Sequence, residues 1–253
     1  MLAEERRLEL VDIARREGRV DANKAANRLA VAVETIRRDL DVLQRQGLIR
    51  RVHGGAISTE RALREDPLSK RRSTLIQIKN AIAQVAATYL PKSGSVFVDG
   101  GTSAECLVPY LSDRPELTVI TNSLTLAAAI GHSTTPVILA GGRIRSKSLS
   151  MVGELALESL KDLHADIAFI GANGVDMKFG LTTMDTEEAS IKRFYIENSL
   201  ENIVLVDHSK FGKVYATRFA EFSNVDRVIT DIQSPTEILD SMKAQGTEVV
   251  VTS

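Results

Sequence analysis

From Ser93 onward, apolar runs alternate with stretches of helical periodicity. The runs are SVFVD (95–99), LTVITN (117–122), PVILAGG (136–142), ADIAFIGANG (165–174), NIVLVD (202–207), DRVITD (226–231) and EVVVTS (248–253). Helical patterns fall at 103–111, 123–130, 153–161, 185–199 and 235–244. Strands separated by helices argue for an α/β fold, with a mainly parallel sheet covered on both faces. A further helix leads in, carried by Ile76, Ile78, Ile82, Val85 and Ala86, and is stopped at Pro91 after Leu90.

Five of the strand ends carry small, polar or charged residues. They are Asp99-Gly100-Gly101-Thr102-Ser103, Thr121-Asn122-Ser123, Gly141-Gly142-Arg143, Asn173-Gly174 and Asp207-His208-Ser209-Lys210. In an open α/β sheet, ligands bind in the crevice at such ends. The Gly-Gly-Thr-Ser turn opens a helix, and its N–H groups and hydroxyls suit a phosphate. Arg143, Lys192 and Lys210 supply countercharge, while Asp99, Asp176 and Glu188 are acceptors for sugar hydroxyls. Any one of these turns alone is only a turn, and the recurrence makes the site. Asp185 reads as a helix cap, Cys106 as core, and His208 equally as a loop residue or a ligand contact.

The N-terminal part has a different pattern. A first helix spans about 3–16, with Leu8, Leu10, Val11 and Ile13 as its apolar residues and Gly18 at its end. Val20 is a short bridge, and Asp21 caps a second helix from Ala22 to Leu29. A third helix runs from Val33 to about Gln46, and Gly47 stops it. Ile36, Leu40 and Leu43 form its apolar stripe, with Glu34 and Arg38 pointing away and Thr35 and Arg37 on the flanks. LIRRVHGGAIS follows as two short strands joined at Gly54-Gly55. Three helices and a hairpin make a winged helix-turn-helix. Its third helix presents Thr and Arg to base edges and phosphates, and Arg50, Arg51 and His53 on the wing grip the flanking backbone. Glycines at the wing tip allow a tight turn and close approach to phosphate.

Charge supports this division. Residues 1–72 hold 17 Lys and Arg against 12 Asp and Glu, while the remainder holds 15 against 21. The expected domains are 1–58 (winged helix-turn-helix) and 75–253 (α/β), joined by a polar linker over 59–74 with a turn at Asp66-Pro67. The chain has 253 residues and 43% hydrophobic content, which excludes disorder. No apolar run approaches the roughly 18 residues of a membrane helix, and no signal-peptide pattern opens the sequence. Cys106 is the single cysteine, so no internal disulfide forms and a reducing cytoplasm fits. No Cys/His cluster has metal-ligand spacing, so neither metal nor cofactor is expected.

ETIRRDL (34–40) and RRVHGGA (50–56) resemble the DNA-binding signature of the DeoR family of bacterial sugar-metabolism repressors. Ala32 departs from the pattern, which has Ser or Thr there, and the missing hydroxyl costs about 1 kcal/mol of helix capping. VFVDGGTS, TVITNS, LAGGRIR, GANGVDMKFGLTT, EEASIKR and VDHSKFGK resemble the family's sensor domain. The resemblance implies a fold similar to ribose-5-phosphate isomerase and glucosamine-6-phosphate deaminase, kept as a sensor. It implies a phosphate loop at Gly100–Ser103, with Asp99, Asn173, Asp176 and Lys210 lining the site. The implied partners are double-stranded operator DNA, a phosphorylated sugar and a second copy of the chain, as a homodimer or homotetramer. The alternative is an isomerase- or deaminase-like enzyme with an appended DNA-binding domain. Against it, the deaminase-like enzymes carry Asp-Gly-His where this chain has Asn173-Gly174-Val175-Asp176, and no histidine stands there.

Overall fold

The computed structural model describes residues 2–17, 19–52, 54–58 and 66–252. The chain divides into two units, Met1–Glu65 and Asp66–Ser253.

In the first unit, helix α1 (Ala3–Glu17) carries Glu4 and Glu5 in its first turn, where they complement the helix dipole. Leu10, Val11 and Ile13 are buried as expected, together with Ala14, but Leu8 is 68% exposed and lies off the apolar face of α1. Gly18 lies outside the described residues. Strand β1 (Arg19–Asp21) leads into α2 (Ala22–Leu29), which Asp21 caps by accepting from the Asn23 and Lys24 N–H groups at 2.9 and 3.0 Å. Ala30 closes α2 in the left-handed region, at φ 50°. Helix α3 (Val33–Arg45) starts at Ala32, which makes no side-chain cap bond. It ends where Gly47, at φ 71°, lets the Leu48 N–H reach the Leu43 carbonyl at 3.0 Å.

Ile36, Leu40 and Leu43 are buried as the spacing predicts, and Asp39 is buried with them. It sits on α3 but accepts from Arg6 Nε at 2.5 Å and Arg7 Nε at 2.9 Å on α1. A buried carboxylate held by two guanidinium groups fixes the packing of the two helices. Asp39→Ala strands the buried Arg6 charge, so we expect this unit to lose about 3 kcal/mol of stability, read from the urea midpoint of the isolated transition.

Strands β2 (Ile49–Val52) and β3 (Gly55–Ser58) pair antiparallel, and β1 adds to β3 as a third strand. Val20, expected as a bridge, is therefore a strand residue. Gly55 is paired within β3 rather than at the turn. Its backbone lies so close to β1 that a Cβ would fall 1.8 Å from the Val20 carbonyl oxygen. Its smallness serves sheet packing, whereas Gly54, at φ 75°, serves the turn.

The second unit begins with a short helix, α4 (Leu68–Ser73), inside the stretch expected to be linker, followed by α5 (Ile76–Ala87). Seven strands form one sheet: β4 (Gly94–Val98), β5 (Leu117–Thr121), β6 (Val137–Leu139), β9 (Ala165–Gly171), β12 (Ser199–Leu205), β14 (Arg227–Asp231) and β15 (Glu248–Thr252). Their order is β15-β14-β12-β9-β4-β5-β6, and every pair is parallel. The chain winds outward from β4 in one direction, then returns to β9 on the other side. The switch point therefore lies between β4 and β9.

Both faces are covered. Ile167 and Phe169 of β9 enter one core with Val96, Val98 and Ile82, while Ala168 and Ile170 enter the other with Phe97 and Tyr195. Burial on both sides is why the strands read as continuous apolar runs. The helices between strands are α6 (Thr102–Glu105), α7 (Val108–Leu111), α8 (Leu124–Ile130), α9 (Glu154–Leu160), α10 (Thr186–Glu197) and α11 (Thr236–Ala244). The single helix expected over 103–111 is split, with Pro109 in the first turn of its second half.

The run 136–142 is strand only at Val137–Leu139, and its Gly-Gly end turns into a hairpin of β7 (Arg143–Arg145) and β8 (Ser150–Val152). The run 165–174 ends at Gly171. Gly174 instead starts β10 (Gly174–Asp176), which pairs with β11 (Gly180–Thr183) and then β13 (Thr217–Ala220) in a small antiparallel sheet the periodicity did not reveal.

Candidate functional site

A cleft opens at the carboxyl ends of β4 and β9. Gly100, Gly101, Thr102 and Ser103 line it from one strand, and Gly171, Ala172 and Asn173 from the other. α10 adds Glu188 and Lys192, α4 adds Arg71, and the end of β12 adds Leu205 and, beyond it, Lys210. This is the crevice of a doubly wound sheet at its topological switch point.

The loop Gly100–Ser103 is held from behind. The Gly100 N–H donates to Asn122 Oδ1 at 3.0 Å, and Asn122 Nδ2 donates to the Met151 carbonyl at 3.3 Å. A Cβ on Gly100 would lie 2.0 Å from the Ser150 hydroxyl, so the backbone runs where no side chain fits. The helix opened by this loop is four residues long, and its dipole adds little. The cationic side chains of the cleft are those of Arg71, Lys192 and Lys210. Lys210 is presented by a single 3-10 turn, His208–Lys210, whose N-cap Asp207 accepts from the Ser209 N–H at 3.0 Å. Burial pushes the Asp207 carboxyl up, but Lys210, the Ser209 bond and Lys79 together hold it below the usual aspartate range.

One turn before Lys192 on α10, Glu188 is 8% exposed. The Arg145 guanidinium lies 3.3 Å from its Oε1, and the Thr183 hydroxyl lies 3.4 Å from Oε2 and donates to Asn173 Oδ1 at 2.7 Å. Arg145 also holds Asp185 at 3.1 Å, and Arg143 pairs with Glu187. The hairpin β7–β8 is thereby tied to the first turn of α10. Beneath the cleft, the Lys192 ammonium bonds the Asp99 carboxylate and donates to the Gly171 carbonyl at 2.9 Å. Both residues of this pair are buried. Three cations, a carboxylate and an amide line one cleft, a set suited to a ligand with an anionic end and a hydroxylated end.

The structure brings Gly100, Gly101, Thr102, Ser103, Asn173, Glu188, Lys192 and Lys210 to this cleft. The other expected site residues are not among its lining. Asp99, Thr121, Asn122 and Asp207 are buried behind it, Thr121 donating to the Val98 carbonyl at 2.6 Å. Gly141 and Gly142 belong to the far edge. The Gly141 N–H donates to the Ser159 hydroxyl at 2.9 Å, and a Cβ on Gly142 would meet Ala156 at 2.9 Å. Arg143 is engaged by Glu187 there. Gly174 packs under the Lys213 carbonyl, and Asp176 Oδ1 accepts from the Lys178 and Phe179 N–H groups at 2.9 and 3.1 Å, closing a turn. His208 Nδ1 is 2.8 Å from Asp231, a structural contact. Cys106 is half-buried, and burial pushes its thiol up.

Arg71, Gly171, Ala172, Leu205 and the second-row Arg145 escaped the sequence reading. Arg71 stood in the basic run SKRR, Gly171 and Ala172 in the motif GANGVDMKFGLTT and Arg145 in LAGGRIR, and none was singled out as a site residue. Among the described residues no His, Cys, Asp and Glu grouping could hold a metal, and no helix is long and apolar enough to cross a membrane.

In the first unit, Glu34, Arg37 and Arg38 of α3 are exposed and Thr35 is half-buried. Arg37 pairs with Glu34 at 3.5 Å, and Arg51 on β2 pairs with Asp41 at 3.2 Å. Arg38 has no carboxylate partner among the described residues, so its guanidinium is available to an external anion. Arg50 lies in β2, and His53 falls outside the described residues.

The family profile described as the DeoR C terminal sensor domain matches residues 75–232, and the DeoR-like helix-turn-helix domain matches residues 6–62. The chain belongs to the DeoR family. This DeoR-family chain is 32% identical over 231 residues to the glycerol-3-phosphate regulon repressor of Escherichia coli, covering 91% of each. It is 30% identical over 253 residues to the HTH-type transcriptional repressor GlcR of Bacillus subtilis, covering 100% of this chain and 97% of that one. Ribose 5-phosphate isomerase A of Methanocaldococcus jannaschii overlaps 55% of each chain at 19% identity with a TM-score of 0.41, a likeness too loose to carry an argument.

Proposed function

We propose that this DeoR-family protein is a transcriptional repressor of carbohydrate uptake or catabolism genes, released from its operator by a phosphorylated sugar bound in the cleft. The observation that carries the reading is the cleft's division of labour. Arg71, Lys192 and Lys210 line the cleft together with the Gly100–Ser103 loop, and Glu188 and Asn173 add hydrogen-bonding groups. A phosphate neutralises the first set and sugar hydroxyls satisfy the second. The relatives named for glycerol 3-phosphate point to the same class. The cleft holds no Asp-Gly-His stretch, which weighs against turnover of the ligand.

At the other end, α3 enters the major groove with Arg38 toward bases or phosphates, and Arg50, Arg51 and His53 hold the flanking backbone. A homodimer or homotetramer places two such helices on half-sites one helical turn apart, in the cytoplasm. Ligand binding acts by differential affinity, and a tenfold release requires about 1.4 kcal/mol between the DNA-competent and DNA-incompetent states.

A thermal-shift screen of sugar phosphates tests the ligand class. The right compound at 100 times its Kd adds about 2.7 kcal/mol of stability. Lys210→Ala should leave operator affinity intact while removing most of that ligand-induced shift. A full shift in the variant places the phosphate elsewhere.

A further inference from the structure

We infer that Arg71 couples the cleft to the DNA-reading unit: a phosphate bound there takes the Arg71 guanidinium from the backbone carbonyls of Asp66 and Lys147, and so releases the point at which the chain enters the second unit. The inference rests on the sensor reading above and assigns the regulation of that same cleft.

Arg71 stands in α4 and lines the cleft. Its Nη2 donates to the Lys147 carbonyl, in the turn between β7 and β8, at 2.8 Å. Its Nε donates to the Asp66 carbonyl at 3.1 Å. Asp66 is the first residue of the second unit, so the chain from the DNA-reading unit arrives there. One guanidinium thus holds both the chain's entry and the β7–β8 hairpin.

The helix itself is a firm mount for that group. The buried Lys79 ammonium donates to the Arg71 and Thr74 carbonyls at 2.5 and 2.8 Å, which closes the last turn of α4. Arg72 grips Glu105 through Nε and Nη2, each at 2.8 Å, and Glu105 lies on α6, the helix that the Gly100–Ser103 loop opens. Of Arg71, Arg72 and Lys79, only Arg71 is in the lining of the cleft. α4 therefore keeps its place when the Arg71 side chain turns.

Both carbonyls that Arg71 holds are neutral. A phosphate is an anion, and its oxygens match the planar guanidinium fork bidentately. Asp66 and Lys147 are exposed, so water replaces the donor that their carbonyls lose and the exchange costs little there. The Lys70 ammonium, 2.9 Å from Asp66 Oδ1, holds the side chain of that residue and not its backbone. Only hydrogen bonds are exchanged.

Arg71→Ala in the full chain tests this. Operator affinity is read by fluorescence anisotropy, without and with glycerol 3-phosphate at a concentration that saturates the thermal shift, or with the phosphorylated sugar that the screen above returns in its place. Ionic strength is matched with chloride. Wild type loses tenfold or more in operator affinity. R71A still binds the compound through Lys192 and Lys210, about tenfold more weakly by titration calorimetry, the loss of one hydrogen bond to a charged group. At saturation its operator affinity nevertheless changes less than twofold. Arg71→Leu, which keeps an apolar stem at the position, gives the same readings. Lys210→Ala also weakens binding but shows the full release at saturation. An R71A protein that releases DNA tenfold at saturation, or that binds none of the compound, makes Arg71 a ligand contact only. Either result overturns the inference and leaves the sensor reading standing. A wild type that binds neither glycerol 3-phosphate nor any sugar phosphate overturns the sensor reading, and the inference with it.

Discussion

Arg38→Ala should lose operator affinity by at least about 30-fold. A guanidinium reading a base edge is worth about 1–3 kcal/mol, and a dimer loses two of them, so the expected cost is about 2–6 kcal/mol. The choice of Arg38 follows from its neighbours. Arg37 and Arg51 are partly neutralised by Glu34 and Asp41, whereas Arg38 projects from the exposed face of α3 with no such partner among the described residues. The measurement is fluorescence anisotropy at fixed salt, on duplexes selected by the wild-type protein, since salt alone shifts such affinities by orders of magnitude. Sugar-phosphate binding should be unaltered. Wild-type DNA affinity in this variant removes α3 from the groove.

The second large effect concerns the cleft floor. From sequence, Asp99 reads as a residue that touches the ligand, so its loss would blunt the response and nothing else. The structure changes that expectation, because Asp99 is 2% exposed and Lys192 4% exposed, and they bond each other. Asp99→Ala leaves the Lys192 ammonium buried without its carboxylate. Breaking such a pair costs about 3–5 kcal/mol. In a unit of this size that lowers the melting temperature by about 6–20 °C, at roughly 2–4 °C per kcal/mol. Adding Lys192→Met to Asp99→Ala should recover much of the loss, since the uncompensated charge then disappears. Calorimetric melting of wild type, both single variants and the double variant measures the coupling. Additive losses in that cycle mean that the pair is not a unit.

The recognition helix was legible because its core stripe is local, Ile36, Leu40 and Leu43 lying within two turns. Asp39 was not, because its partners Arg6 and Arg7 are 33 and 32 residues away in sequence and nothing in the spacing joins them. Leu8 shows the same limit, since it is as apolar as Leu10, Val11 and Ile13 and only packing leaves it exposed.

In the sheet, each strand was legible from its apolar run, but the strand order was not. Order decides which strand ends converge. Gly141, Gly142 and Arg143 follow β6, two strands from β4 and about 10 Å along the sheet. Gly100–Ser103 and Asn173 follow β4 and β9, the pair flanking the switch point. Five similar polar ends in sequence thus become one cleft and several structural turns. Arg71 was hidden for a related reason. It belongs to a basic stretch that looks like a solvated linker, and only the folding of α4 brings it to the lining of the cleft.

The central claim is that one chain couples an anion-binding cleft to a DNA-reading helix. Its most direct test is operator affinity of the wild-type protein, titrated with each phosphorylated sugar that stabilises it and with the unphosphorylated sugar as control. At least one phosphorylated compound should weaken DNA binding tenfold or more while its unphosphorylated counterpart does nothing. DNA affinity indifferent to every phosphorylated sugar that the cleft binds would contradict the account.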